Sequence, residues 1–205
     1  MPMHSVQAET VTETVIRKSR FLCFLAPAGT AAMAAAVLAR AKAIHPDATH
    51  HCYAYICGPE GNEYRSDDDG EPGGTAGTPM LEALRKAGCT DVCVVVVRYY
   101  GGIKLGAGGL IRAYGGAVRS ALAKAVPVYP RRYAECLVEI PAASQGATEH
   151  LLRSMAQIVS VTYGETVSFT YRVPEADAAN LDERLAHLVG YQIRPETLRI
   201  LSVYE

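Results

Sequence analysis

The stretch Val92 to Ala125, VCVVVVRYYGGIKLGAGGLIRAYGGAVRSALAKA, constrains this chain more than any other. An apolar β-branched run, Val94 to Val97, reads as a strand; a glycine-dense turn carrying Lys104 follows; the remainder has helical spacing. A strand that feeds a helix N-terminus through glycines offers backbone N–H groups and the positive end of a helix dipole to an anion. On the helix, Leu110, Tyr114, Ala117, Val118, Ala121 and Ala125 share an apolar face, while Arg112 and Arg119 lie above one another on a different one. Gly115 and Gly116 fall in its interior, where each glycine costs about 1 kcal/mol relative to alanine. An adjacent pair there implies the close approach of another backbone or a ligand, and close packing on the sheet is the plainer of the two.

A second unusual stretch is Ser66 to Pro79, SDDDGEPGGTAGTP. Its glycines, prolines and acids exclude a regular element, yet it opens directly into an amphipathic helix, Met80 to Ala87. Together the two stretches hold 11 of the 18 glycines, so permissive backbone is concentrated in two places. Lys104 and the N–H groups of Gly106, Gly108 and Gly109 form a candidate anion cradle, with Arg98 at the strand end, Arg112 one turn into the helix and Arg119 extending the surface. Two readings stand side by side. The cradle holds a phosphate or an RNA backbone, or its cations neutralise Asp67, Asp68, Asp69 and Glu71 in a structural ion-pair network. Both can hold at once.

Nucleotide fingerprints do not fit. A Walker A loop needs Lys then Ser or Thr after its last glycine, whereas Ala107 follows Gly106, and G-x-G-x-x-G begun at Gly106 fails at Ile111. The acidic loop supplies hard oxygen ligands suited to Mg²⁺ but lacks EF-hand spacing. His45, Asp47, His50, His51 and Cys52 are the one transition-metal candidate, with no partner set elsewhere to complete it. No metal or cofactor is expected. There is no G-x-S-x-G elbow, and Cys52 beside two histidines is the single hint of a nucleophile, so the sequence favours binding over catalysis. The alternative is an enzyme for Mg²⁺-assisted phosphate or peptide chemistry on a small substrate, with the acidic loop facing the basic cradle.

The net charge of −1 argues against a general nucleic-acid coat and leaves room for a local basic groove. Up to Pro130 the chain has 13 Lys+Arg against 11 Asp+Glu, and beyond it 7 against 10, so the first part is the more basic. Six cysteines without a C-x-x-C pair read as reduced core residues. No signal pattern opens the chain, and its longest apolar run, Thr30 to Ala39, is too short to span a bilayer; a cytoplasmic protein without a membrane partner is expected.

In order, alternation over Thr10 to Ile16 and the run Phe21 to Leu25 predict a hairpin; Thr30 caps a helix over Ala31 to Ile44; His50 to Cys57 predicts a central strand with a short return at Glu63 to Arg65. The pattern changes after Pro127 and Pro130, which sets domains of 1–130 and 131–205. The second reads as strand Arg132 to Ile140, helix Ala143 to Met155, strands Ile158 to Tyr163 and Thr166 to Val173, helix Glu175 to Val189 and strand Thr197 to Val203. This βαββαβ order is the ferredoxin-like split motif, and the whole chain is of the α+β class.

The texts KSRF (Lys18 to Phe21), HPDATHHCYAY (His45 to Tyr55), SDDDGEPGGTAGTP and VVVRYYGGIKLGAGGLIRAY (Val95 to Tyr114) resemble the IMPACT family, known in bacteria through YigZ-like proteins. The family usually has one acid fewer in SDDGEP and phenylalanine where Tyr100 stands. The resemblance implies a first domain like the second domain of a small-subunit ribosomal protein, a mixed sheet with helices on one face. It implies a second domain like the ferredoxin-like C-terminal domain of elongation factor G. It further implies a cytoplasmic regulator of translation whose partner is RNA, the ribosome or a translation-associated protein. An old peptidase label attached to the family finds no catalytic constellation here.

Overall fold

The computed structural model describes residues 3–190 and 192–204, and the chain divides into two compact units, the first running to Pro130 and including Tyr204, the second covering Arg131–Val203. Among the described residues there are five α-helices and three sheets, and no helix is long and apolar enough to cross a membrane.

In the first unit, strands β1 (Ser5–Val6), β2 (Thr10–Ile16) and β3 (Ser19–Pro27) precede helix α1 (Ala31–Ile44); strands β4 (His50–Cys57) and β5 (Glu63–Asp67) precede helix α2 (Gly77–Ala87). Strand β6 (Val92–Tyr99), helix α3 (Ala107–Leu122) and strand β7 (Pro127–Val128) complete it. The main sheet has the order β2-β3-β6-β4-β5, and β1 pairs separately with β7. Every pairing in the main sheet is antiparallel, so the mixed sheet implied by the family resemblance is corrected.

Helices on one face is also corrected. Val92, Val94 and Val96 pack with Leu84, Tyr114 and Val118 of α2 and α3, whereas Cys93, Val95 and Val97 pack with Ala34, Val37 and Ala41 of α1. The reason is in β6 itself. Seven consecutive residues, Val92 to Arg98, are buried, and an uninterrupted buried run needs cover on both faces, where a one-sided sheet would alternate.

Around the glycine pair in α3, a Cβ on Gly115 would lie 3.1 Å from Arg119 Nη1 and 3.5 Å from the Pro79 carbonyl oxygen of α2, so Gly115 faces a neighbouring helix and the Arg119 side chain rather than the sheet. Helix α2 begins three residues before the expected Met80 because the Asp68 carboxylate accepts from the N–H groups of Ala76 (2.9 Å) and Gly77 (2.8 Å), satisfying donors that a helix start leaves open. Thr30 caps α1 through its hydroxyl, which accepts from Met33 N–H at 3.2 Å.

The second unit contains β8 (Pro130–Pro141), a 3₁₀ turn at Ala142–Ser144, α4 (Gln145–Met155), β9 (Gln157–Tyr163), β10 (Thr166–Pro174), α5 (Glu175–Val189) and β11 (Glu196–Tyr204), with sheet order β11-β8-β10-β9. One alternating set of the central strands, Cys136, Val138 and Ile140 with Phe169 and Tyr171, packs against Leu152, Leu181 and Leu185. In β10 each buried residue alternates with a less buried one, the period-2 signal that made the strand readable.

Candidate functional site

The loop from Tyr100 to Gly106 joins the buried strand β6 to α3, and its ends are held by unlike means. At the start, a Cβ on Gly101 would fall 2.1 Å from the Lys18 carbonyl carbon, so only glycine admits the β2–β3 turn at this distance. At the other end Gly106 precedes the helix with φ +73°, in the region that favours glycine. Helix α3 starts at Ala107 with no side-chain cap and no acidic residue in its first turn. The N–H groups of Ala107, Gly108 and Gly109 therefore face outward at the positive end of the helix dipole, uncompensated by the chain.

Through Gly106 and Ala107 this helix end borders a cleft of about 430 Å³ lined by residues from three segments: Thr49, His50, Glu71 and Pro72; Arg98 and Tyr100; and Lys104, Leu105, Gly106, Ala107 and Leu110. Lys104 is exposed, and among the described residues no carboxylate stands within ion-pair distance of it. His50 donates from Nδ1 to the Asp69 carbonyl oxygen (2.8 Å), a geometry that leaves Nε2 turned toward the cleft, 3.9 Å from Glu71 Oε1.

The two charges of the cleft floor cancel. Arg98, 4% exposed, donates from Nη1 to Glu71 Oε1 at 2.5 Å, and Nη2 reaches Ser19 Oγ at 3.3 Å. The same Glu71 oxygen accepts the Tyr114 hydroxyl at 2.6 Å. Burial, with Cys52 and the Glu71 carboxylate beside it, holds the Tyr114 hydroxyl far above its ordinary pKa, so it remains a donor. Of the sequence's two readings of the cations, the neutralising network is therefore formed by Arg98 with Glu71. Lys104, Arg112 and Arg119 take no part in it.

The other acids of the loop serve its own backbone. Burial raises the Asp68 pKa, but the N–H groups of Gly74, Gly77 and Ala76 outweigh it and hold the carboxyl below its ordinary value. Asp69 accepts from His51 N–H at 2.6 Å, and Asp67 accepts from Asp69 N–H at 2.8 Å. These oxygens point to different donors, and among the described residues no three His, Cys, Asp or Glu side chains gather as a metal set. The histidines are dispersed in the same way: His45 bonds the Tyr99 hydroxyl, and His51 bonds the His45 carbonyl. Cys52 is a thiol that donates to the Asp68 carbonyl oxygen, with burial pushing its pKa up to about 12.

Of the seven residues expected at the cradle, Arg98, Lys104 and Gly106 line this one cleft. Gly108 and Gly109 lie in the first helical turn beside it, and Arg112 lines a neighbouring cavity with Arg17. Arg119 stands twelve residues into α3, about 18 Å along the axis from its start, and lies against Gly115 and Gly116. Thr49 and Arg17 belong to the region although the sequence did not single them out, and His50 and Tyr100 join it although the sequence placed neither at the cradle. Arg17 sits one residue before the KSRF text and has a positive φ of 44°, a property invisible in residue type.

The model of the Impact N-terminal domain matches residues 17–122, which span the β2–β3 turn, both glycine-rich stretches and α3. An IMPACT family member of Bacillus subtilis, YvyE, is 41% identical over 184 residues, covering 87% of this chain and 82% of its own. The Escherichia coli member YigZ is 38% identical over 180 residues, covering 86% and 88%. A crystal structure of a hypothetical protein is similar at a TM-score of 0.72 and 34% identity over 96% of this chain and 97% of that one. With the domain matched through its glycine stretches and the relatives aligned over most of their length, the chain belongs to the IMPACT family.

Proposed function

We propose that this protein is a cytoplasmic, non-enzymatic regulator of translation that binds RNA, free or within the ribosome, by its phosphate backbone at the N-terminus of α3. The observation that carries the reading is the cleft itself. Outward N–H groups of an uncapped helix and an unpaired Lys104 stand over a floor whose one acid, Glu71, is already neutralised by Arg98. An anion entering there meets donors and positive charge without a competing carboxylate. The order β11-β8-β10-β9, with both helices of the second unit in one core, supports reading residues 131–205 as a ferredoxin-like domain of the kind that ends elongation factor G, and 1–130 as the family's N-terminal domain.

The test is the salt dependence of binding. Association with a single-stranded RNA should weaken linearly on a double-logarithmic plot between about 50 and 200 mM salt, and Lys104→Ala should flatten the slope by about 0.7, the share of one phosphate contact on a single strand. An unchanged slope removes Lys104 from the site. Absence of RNA or ribosome binding by the wild-type protein removes the nucleic-acid reading and returns a protein partner to first place.

A further inference from the structure

Next to the cleft, and separated from it by Leu105, lies a second cavity of about 260 Å³ lined by Ile16, Arg17, Leu105, Gly109, Arg112 and Ala113. Two arginines from different elements converge on it, one from the β2–β3 turn and one from α3, and both are exposed. Among the described residues neither has a carboxylate within ion-pair distance, although Arg20, three residues from Arg17, is paired with Glu13. Like charges brought together without an acid repel, and the pair is neutralised when an anion enters between them.

The backbone that carries each arginine is fixed. Arg17 is one of two residues in a two-residue turn whose flanks pair as Ile16↔Ser19, and Gly101 packs on the next peptide of that turn. The Arg112 guanidinium folds back over the first turn of α3, with Nη1 3.4 Å from where a Cβ of Gly108 would sit, so it reaches toward the N–H groups bordering the first cleft. Ala107 faces one cavity and Gly109 the other, two residues apart on a single helical turn.

We infer that Arg17 and Arg112 form a second phosphate position across Leu105 from the first, so that the partner is a polynucleotide strand held at two or more phosphates in succession. This rests on the proposed function and extends it. A mononucleotide or free phosphate fills one position and leaves the cations of the other, Lys104 or the arginine pair, unneutralised. A phosphodiester strand supplies successive phosphates on one chain, and the exposed Lys104 and Ala107 at one cavity and Arg17 and Arg112 at the other leave both rims accessible to a passing strand.

The experiment titrates the full chain with a labelled oligouridylate of ~10 nucleotides over a salt series, with uridine diphosphate as an unlabelled competitor. Arg17→Gln with Arg112→Gln should flatten the salt slope by about 0.7, the share of the one phosphate they hold together, and each single variant by a part of that, while Arg17→Lys retains the wild-type slope and the thermal midpoints stay together. Uridine diphosphate should compete at least 100-fold less well than the unlabelled oligonucleotide, an expectation on the order of the avidity gained by linked contacts. Wild-type slopes in both Gln variants, with Lys104→Ala still impaired, overturn the second position and leave the first standing. Competition by uridine diphosphate at the oligonucleotide's own concentration overturns the strand and makes the pair of cavities a diphosphate site. Absence of oligouridylate binding by the wild-type chain overturns both readings together.

Discussion

Glu71 is an acid that its surroundings make indispensable. It is almost fully buried, and one of its oxygens takes both the Arg98 guanidinium and the Tyr114 hydroxyl. Such a pair contributes little when compared with apolar residues of equal size, but removing one partner strands the other charge. Glu71→Gln should therefore lower stability by about 3 kcal/mol in denaturant unfolding, and Glu71→Gln with Arg98→Met should recover a large part of it. A double variant no more stable than the single one would remove Arg98 as the group that suffers. Asp68 gives a pH-dependent counterpart. Its folded pKa lies below the unfolded value, so its contribution is present above the ordinary carboxylate value of about 4 and is lost as pH falls through the folded pKa. Asp68→Asn should cost about 1 kcal/mol at pH 7, as a lost helix-start acceptor does. The gap to wild type should close as the solution is acidified below that value; a gap independent of pH would make the loss one of packing rather than charge.

Among the elements, the β2–β3 hairpin carries the clearest conflict between local preference and use. A two-residue turn of this hand needs positive φ at both positions and is usually made by Asn-Gly, yet Arg17 and Lys18 occupy it at φ 44° and 66°. The left-handed conformation costs an L-residue about 1–2 kcal/mol. Replacing both by Asn-Gly should accordingly raise the unfolding free energy by about 1–2 kcal/mol while weakening RNA binding, since Arg17 goes with the strain; gain of stability with unchanged RNA affinity would detach the turn from the site. Strands and helices were largely legible because their signals are local. The valine run of β6, the alternation of β10 and the Thr30 cap each declare themselves within a few residues. Two things were not. That α1 crosses to the opposite face from α2 and α3 depends on which side chains of β3 and β6 they meet, a long-range matter. The starts of α2 and α3 depend on Asp68, nine residues before Gly77, and on the φ of Gly106. At the site, residue type revealed the cations and glycines, but which cation is buried was hidden. Arg98 and Lys104 look alike on paper, and only the position of Glu71 under α3 separates the neutralised one from the free one.

At the scale of the molecule, the six cysteines report on two units. Cys23, Cys52, Cys57, Cys89 and Cys93 belong to the first unit and Cys136 to the second, and all six are free and buried. Burial pushes Cys23, Cys52 and Cys93 up to about 12 and Cys57 and Cys89 up to about 11, and it raises Cys136 as well. A thiol so placed is protonated and inaccessible at pH 8, so a thiol-specific reagent should modify none of them in the native protein and all of them in denaturant. Rates of modification at intermediate denaturant then measure opening free energies core by core. The first five surround one sheet, on whose two faces the cores share β3 and β6, and no opening exposes Cys23 on one face while sparing Cys93 on the other without breaking the same strands. They should open together with a single denaturant dependence. Cys136 packs with Thr197, Phe169 and Leu181, in a core to which β3 and β6 contribute nothing. Its opening should follow its own, shallower dependence, because the smaller unit exposes less surface. Coincident curves for all six cysteines would mean that the two units unfold as one, and the description of the chain as two cooperative bodies would fall.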